Sequence, residues 1–141
     1  MKRVKGGDGA LQFNIQELQT IVRNNLAIKI LLLNNRCHPS VRQLQEKAYQ
    51  ARYPTNVWGY DTPNFCRVAE AYGIPCAAIS ETHEIKEALK WSWRDPHRAA
   101  LLEVIIPEEL SMYPIPMYRS VHRLPSWNHL FVLKLKAPKH V

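Results

Sequence analysis

An aspartate held between two glycines, Gly7-Asp8-Gly9, and a pair of asparagines, Asn34-Asn35, stand with 24 residues between them. Glycine at a turn lets the backbone approach a bound group closely. If a helix starts there, the N–H groups of Gly9, Ala10 and Leu11 and its positive dipole end suit a phosphate. Asp8 beside that turn would repel the phosphate. A hard cation between them removes the conflict, because Mg²⁺ takes about six oxygen ligands and commonly joins one or two carboxylates to phosphate oxygens. Asn35 offers an amide oxygen. A helix plus a returning parallel strand consumes about the 24 positions available, so Asp8 and Asn35 are expected to share one metal at neighbouring strand tips.

No other set of reactive residues converges in this way. Cys37-His38 pairs a thiol with a base, but side chains of adjacent residues diverge, and a loop thiol beside a solvent-facing histidine is the expectation. His83, His97, His122, His129 and His140 lack ligand spacing, which argues against zinc. Cys37, Cys66 and Cys76 are odd in number and form no CxxC pair, so all three are expected as reduced thiols. The net charge of +7 admits an anionic partner, yet the excess cations gather at the two ends (Lys2, Arg3, Lys5; Arg119, Arg123, Lys134, Lys136, Lys139). Tyr49, Tyr53, Trp58 and Tyr60 could stack bases, but a loop covering a site mouth or folding onto a sheet explains them, and no nucleic acid is expected. Glu17 reads as a surface charge on an amphipathic helix.

The elements that must position these residues follow from hydrophobic period. Ile15, Leu18, Ile21 and Val22 recur at helical spacing, predicting one helix from the GDG turn to Asn24-Asn25. Ile28 to Leu33 is short and almost wholly apolar, as in a strand covered on both faces. Ser40 to Gln50 predicts a helix with Val41, Leu44 and Ala48 inward, and residues 51–61 a turn-rich loop. Thr62-Pro63 is expected to open a helix that Gly73 closes. Cys76 to Ile79 and Ala100 to Ile106 are strands flanking a helix capped by Ser80 or Thr82 and running to about Trp93, with Leu89, Trp91 and Trp93 packing there. Strands separated by helices predict an α/β fold, a parallel sheet flanked by helices on both faces. Residues 1–106 are expected as the domain, and 107–141, proline-rich and basic, as an irregular tail with an open possibility of an edge strand over 130–136. With no run of 18 apolar residues and no apolar stretch after Met1-Lys5, the chain is expected to be cytoplasmic, without a membrane segment.

GDG, 24 residues and NN together resemble the cofactor motif of the thiamine diphosphate-dependent enzymes. NIQELQTIVRNNLAIKILLLNN, VRQLQE, FCRVAEAYGI, EIKEALKWSW and LLEVII are further similar to the acetolactate synthase and pyruvate oxidase-like branch, over roughly Gly7 to Pro114. The resemblance implies a partial, C-terminal diphosphate-binding domain. Asp8, the Asn35 side chain and the backbone carbonyl of Cys37 would bind Mg²⁺, and the turn Gly7 to Leu11 the cofactor's diphosphate. It further implies a 2-oxo acid substrate and a pyrimidine-binding domain, on another chain or in a homo-oligomer, whose glutamate activates the cofactor. No residue here takes that glutamate's role, so a fragment inactive alone is expected. A non-catalytic remnant or protein-interaction module is the alternative. Two departures stand out. Pro39 and Ser40 occupy places where many relatives carry glycine and a bulky apolar residue, and proline has no N–H to offer a diphosphate. The buried strand that precedes GDG in the family is expected to be missing or badly damaged, since MKRVK offers only Val4 beside Met1.

Overall fold

The computed structural model describes residues 2–54, 56 and 58–108. Strands β1 (Lys2–Gly7), β2 (Ile28–Asn34), β3 (Cys76–Ile79) and β4 (Ala100–Ile105) form one parallel sheet in the order β1-β2-β4-β3. Helices α1 (Asp8–Phe13) and α2 (Glu17–Arg23) lead from β1 to β2, α3 (Pro39–Ala48) and α4 (Phe65–Ala71) from β2 to β3, and α5 (Ile85–Trp93) from β3 to β4. The first two crossovers advance across the sheet and the third steps back. A constant right hand therefore places α5 on the face opposite α2 and α4. Packing agrees: Leu18, Ile21, Phe65 and Ala69 lie with Ile28, Ile30, Leu32 and Leu101, whereas Ala88 of α5 lies with Leu102 and Ile79. The expected α/β architecture, helices on both faces of a parallel sheet, is the one found.

The strand before GDG is present, contrary to expectation. Its register with β2 runs from Lys2 opposite Ile28 to Gly7 opposite Leu33. Among the described residues β1 is an edge, and an edge strand needs only one covered side. Val4 packs on the core while Lys2, Arg3 and Lys5 remain exposed, a charge pattern that also discourages edge-to-edge association.

Several helix boundaries differ from the sequence expectation, each for a local reason. The single helix after GDG is two, because Asn14 ends α1 with its Nδ2 donating to the Ala10 carbonyl at 3.0 Å, a side-chain bond that competes with helix continuation. Asn64, not Thr62-Pro63, caps α4, its Oδ1 accepting from the Arg67 amide at 2.9 Å. Gly73 does close that helix, at φ +80°. Neither Ser80 nor Thr82 caps the next helix; Glu81 and Glu84 form a capping box around the 3₁₀ turn Thr82–Glu84 that leads into α5. On α3 the apolar stripe faces outward, Val41 at 38% and Leu44 at 48% exposure, and the buried residue is Gln45. Polar contacts dock this helix, and period alone does not reveal them.

Cys66 and Cys76 are joined in a disulfide, which corrects the expectation of three reduced thiols; Cys37 is free. The turn at Gly73 folds α4 back along β3 and brings the two Cα atoms to 5.1 Å, a proximity that spacing in the chain does not show. Lys29, the one charged residue inside the apolar run of β2, is buried, with Nζ donating to the carbonyls of Asp95 at 2.6 Å and Arg98 at 2.7 Å. Burial pulls its pKa below the ordinary lysine range, with Asp95 acting in the other direction. The ammonium thus ties β2 to the segment that enters β4. Among the described residues no helix is long and apolar enough to cross a membrane. The tail expected from residue 107 lies, beyond Glu108, outside the described residues, as does the segment 130–136.

Phe65 is fully buried where α4 meets the sheet, touching the cluster built on Leu18, Ile28 and Leu101. Phe65→Ala is expected to cost about 3–5 kcal/mol. Urea unfolding should show this as a markedly lower midpoint at unchanged slope.

Candidate functional site

Parallel pairing fixes where the motif residues meet. Gly7 stands opposite Leu33, so Asp8 and the pair Asn34-Asn35 emerge at the same end of adjacent strands. This is the carboxyl end of the sheet, where open α/β folds bind ligands. Both Asp8 and Asn35 are buried, at 2% and 4% exposure.

Asp8 opens α1. The preceding Gly7 provides no side-chain cap, so the first-turn amides are left for a ligand or water. The carboxylate has one hydrogen bond, accepted at Oδ2 from the Tyr60 hydroxyl at 3.2 Å, and no ion pair among the described residues. A buried carboxylate without a cation is costly, and proteins normally pair such a charge or coordinate a metal with it. The carboxamide of Asn35 is similarly underused, its buried Nδ2 lacking any hydrogen-bond partner among the described residues. Nitrogen and oxygen of a carboxamide exchange by a simple flip. The other orientation would place an acceptor where the nitrogen now has none.

Asn34 shapes the loop that carries Asn35. Its Nδ2 donates to Glu103 Oε1 at 2.7 Å and its Oδ1 accepts from the Arg36 amide at 3.0 Å, an Asx turn that accompanies a left-handed Arg36 at φ +51°. Cys37 follows, buried, with Sγ donating to Asn56 Oδ1 at 3.3 Å. Asn56 in turn donates to Gln45 of α3. Burial pushes the Cys37 thiol up, opposed by Arg42 and reinforced by Glu108 and Asp8. Such a thiol holds its proton and is a poor nucleophile.

The glycines differ in what they accommodate. A Cβ on Gly7 would meet only the Leu33 carbonyl oxygen, at an ordinary 3.8 Å. A Cβ on Gly9 would overlap Cε1 of His38 and lie 2.7 Å from its Nδ1. His38 was expected to face solvent as a loop histidine; instead its ring rests on Gly9, edge-on to Tyr60 with centroids 4.6 Å apart and stacked on Phe13 at 6.3 Å. Ala10 and Leu11 complete the first turn, Leu11 packing against the core. Sequence reasoning missed Tyr60 and His38 as site neighbours, and Glu103 as the anchor of Asn34. Tyr60 lies 52 residues from Asp8, and only the aromatic content of its loop hinted at a covering role.

No group of three or more His, Cys, Asp or Glu side chains that could hold a metal occurs among the described residues. The mixed set of one carboxylate, one carboxamide and one backbone carbonyl still fits Mg²⁺, which characteristically completes its shell with phosphate oxygens and water. The unpaired carboxylate and the orphaned carboxamide are what such an ion would satisfy.

The family model described as "Thiamine pyrophosphate enzyme, C-terminal TPP binding domain" matches residues 4–104. The chain belongs to this family. Its cofactor is thiamine diphosphate, with Mg²⁺ the usual partner. The acetolactate synthase large subunit of Porphyra purpurea is 36% identical over 109 residues, 77% of this chain and 18% of that protein. Acetolactate synthase isozyme 3 large subunit of Escherichia coli (strain K12) is 34% identical over 111 residues, 79% of this chain and 19% of that protein. The thiamine diphosphate-dependent 4-hydroxybenzoylformate decarboxylase of Rhodococcus jostii RHA1 superposes with a TM-score of 0.66 at 23% identity, covering 77% of this chain and 20% of that one, a likeness of fold. The chain thus spans about a fifth of the length of these relatives.

Burial first, then the charge and hydrogen bond of Asp8, push the Tyr60 phenol well above its ordinary value of 10.0. The folded phenol therefore keeps its proton where the unfolded one loses it, and stability should fall as pH rises past about 10. Removing the charge in Asp8→Asn should bring Tyr60 ionisation, followed by ultraviolet absorbance, to lower pH. It should stay above the ordinary range, because burial remains.

Proposed function

We propose that this domain supplies the Mg²⁺ and diphosphate end of the thiamine diphosphate site in an acetolactate synthase-like enzyme acting on 2-oxo acids. The observation that carries this reading is the buried Asp8 carboxylate, unpaired by any cation among the described residues, at the strand tip beside Asn35. Asp8, the Asn35 side-chain oxygen and the Cys37 carbonyl bind the ion, and the turn from Gly7 to Leu11 holds the diphosphate through its amides. Asp8 would offset one of the two charges of the cation, leaving the diphosphate oxygens to balance the rest.

Thiamine diphosphate, when bound, supplies the carbanion-stabilising chemistry, and the protein's share is binding and orientation. Glu103 and Asn34 hold the 34–37 loop in place. Tyr60 excludes water from one side of the Asp8 carboxylate and orients it. None of the described residues is assigned to the activation of the cofactor or to proton transfer with substrate. Those steps fall to a pyrimidine-binding domain, on another chain or in a second subunit, so the chain acts as a piece of a larger assembly. Residues 1–106 form its working unit, with the family match over 4–104 in support.

A second reading, as a non-catalytic interaction module, is favoured by one feature. Beneath β1 and β2, beside α5, a groove of about 500 Å³ runs between Arg3, Lys5, Leu31, Leu89 and Trp93. The two readings separate in a thermal unfolding experiment with thiamine diphosphate and Mg²⁺. At ligand about a hundredfold above Kd, binding should add about 2.7 kcal/mol to apparent stability and raise Tm by several degrees. The rise should vanish with EDTA and in Asp8→Ala. A chain that melts at one temperature with or without cofactor and magnesium would sink the first reading and leave the second.

A further inference from the structure

The side chain nearest Gly9 belongs to His38, a residue that the metal and diphosphate assignments above do not use. Its ring lies so close that Gly9 has no room for a Cβ. The ring is held by Tyr60 and Phe13, and Tyr60 is also the residue bonded to Asp8. Neither ring nitrogen has a hydrogen-bond partner among the described residues, although the side chain is half-buried. An imidazole carries at least one N–H in either protonation state. A donor oriented by aromatic contacts, without a protein acceptor among the described residues and on the side of the site that holds an unpaired buried carboxylate and an orphaned carboxamide, is placed for a ligand rich in acceptor oxygens. Backbone chemistry sharpens the point. Pro39 follows directly at the start of α3 and has no N–H, and His38 itself makes no side-chain cap to that helix. The loop facing Gly9 thus offers a side-chain donor where its next backbone donor is missing.

We propose that His38 is a ligand-binding residue that donates a ring N–H to a diphosphate oxygen, replacing the backbone donor that Pro39 withholds. This rests on the diphosphate reading of the site. It goes beyond it in assigning a contact to a residue that would otherwise only fill the space over Gly9.

Inorganic pyrophosphate with Mg²⁺ is the simplest probe, titrated calorimetrically into the full chain beside thiamine diphosphate. His38→Leu keeps an apolar body between Phe13 and Tyr60 but removes the donor. The expected result is an unchanged Tm without ligand and a Kd about tenfold weaker for both ligands, the loss of one charge-assisted hydrogen bond. His38→Gln, which retains an N–H donor, should recover part of that loss, whereas a purely structural role for the ring would give no such rescue. Binding by His38→Leu as tight as the original, or tighter, overturns the proposal, because the ring would then be packing or a plug. If His38→Leu does not fold, the His38 Cε1–H resonance of the unaltered chain decides. A shift on pyrophosphate addition supports the contact, and an unmoved signal at saturation overturns it. An unaltered chain that binds neither ligand overturns the diphosphate reading and this proposal together, whereas Mg²⁺- and Asp8-dependent binding indifferent to residue 38 overturns this proposal alone.

Discussion

One buried carboxylate sets the terms for this end of the molecule. Asp8 is 2% exposed, receives a single 3.2 Å hydrogen bond from a phenol and has no cation beside it among the described residues. An ion in such a place loses most of its hydration, and one neutral donor does not restore it. The fold keeps Asp8 there because the chain leaves it little choice. Gly7 is still paired with Leu33, and Leu11, one helical turn on, is packed on the core. The strand and the helix hold Asp8 between them. A site that is unfavourable on its own and built on rigid elements on both sides is the pattern expected where a ligand supplies the missing interaction.

The second half of the site is fixed by different means. Asn34 anchors to Glu103 on β4, the strand on the far side of β2, and turns the chain at Arg36. The backbone of Asn35 is therefore positioned while its Nδ2 has no hydrogen-bond partner among the described residues. Farther along, Cys37, Asn56 and Gln45 form a buried polar chain linking the loop to α3. A polar chain of this kind is stabilising only when every member is satisfied. It also explains why α3 docks with its apolar stripe outward: Gln45, not Val41 or Leu44, is the residue that has a partner inside.

The sheet and its crossovers were legible in the sequence because a parallel, doubly covered strand leaves a strong mark. The apolar runs ending at Leu33 and Ile79, and ALLEVII from Ala100, each became a strand within a residue of the expected bounds. What escaped was of two kinds. One was local polar chemistry: Asn14, Asn64 and Glu81 end or begin helices through side-chain bonds that compete with residues equally plausible on paper. The other was distance along the chain. Tyr60 against Asp8, His38 against Gly9 and Cys66 with Cys76 exist because the fold returns the chain to itself. The strand β1 is hard to read from the sequence for a related reason. A central strand needs two apolar faces, and MKRVK fails that test; an edge needs one, which Val4 supplies. For the site, residue types and spacing point to Asp8 and Asn35, and the structure adds their burial and, among the described residues, an Asp8 without an ion pair and an Asn35 Nδ2 without a partner.

The parts of the site differ in how firmly they are held. The strand tips cannot move, since Gly7 and Asn34 are both locked in the ladder and Asn34 is bonded to β4 as well. The side of the site formed by Tyr60 and His38 is held more lightly. Tyr60 belongs to the connection between α3 and α4, outside any helix or strand, and its side-chain ties among the described residues are one hydrogen bond to Asp8 and one edge contact with His38. His38 in turn leans on Phe13, which is 77% exposed. An aromatic pair contributes about 0.5–1.5 kcal/mol beyond its burial, little enough for an incoming polyanion to redirect. A diphosphate bound as proposed above would rearrange the aromatic side and leave the carboxylate in place. On the reading proposed above, β1 would fix Asp8 and the Glu103-anchored turn would fix Asn35, leaving the aromatic side to adapt to the organic group.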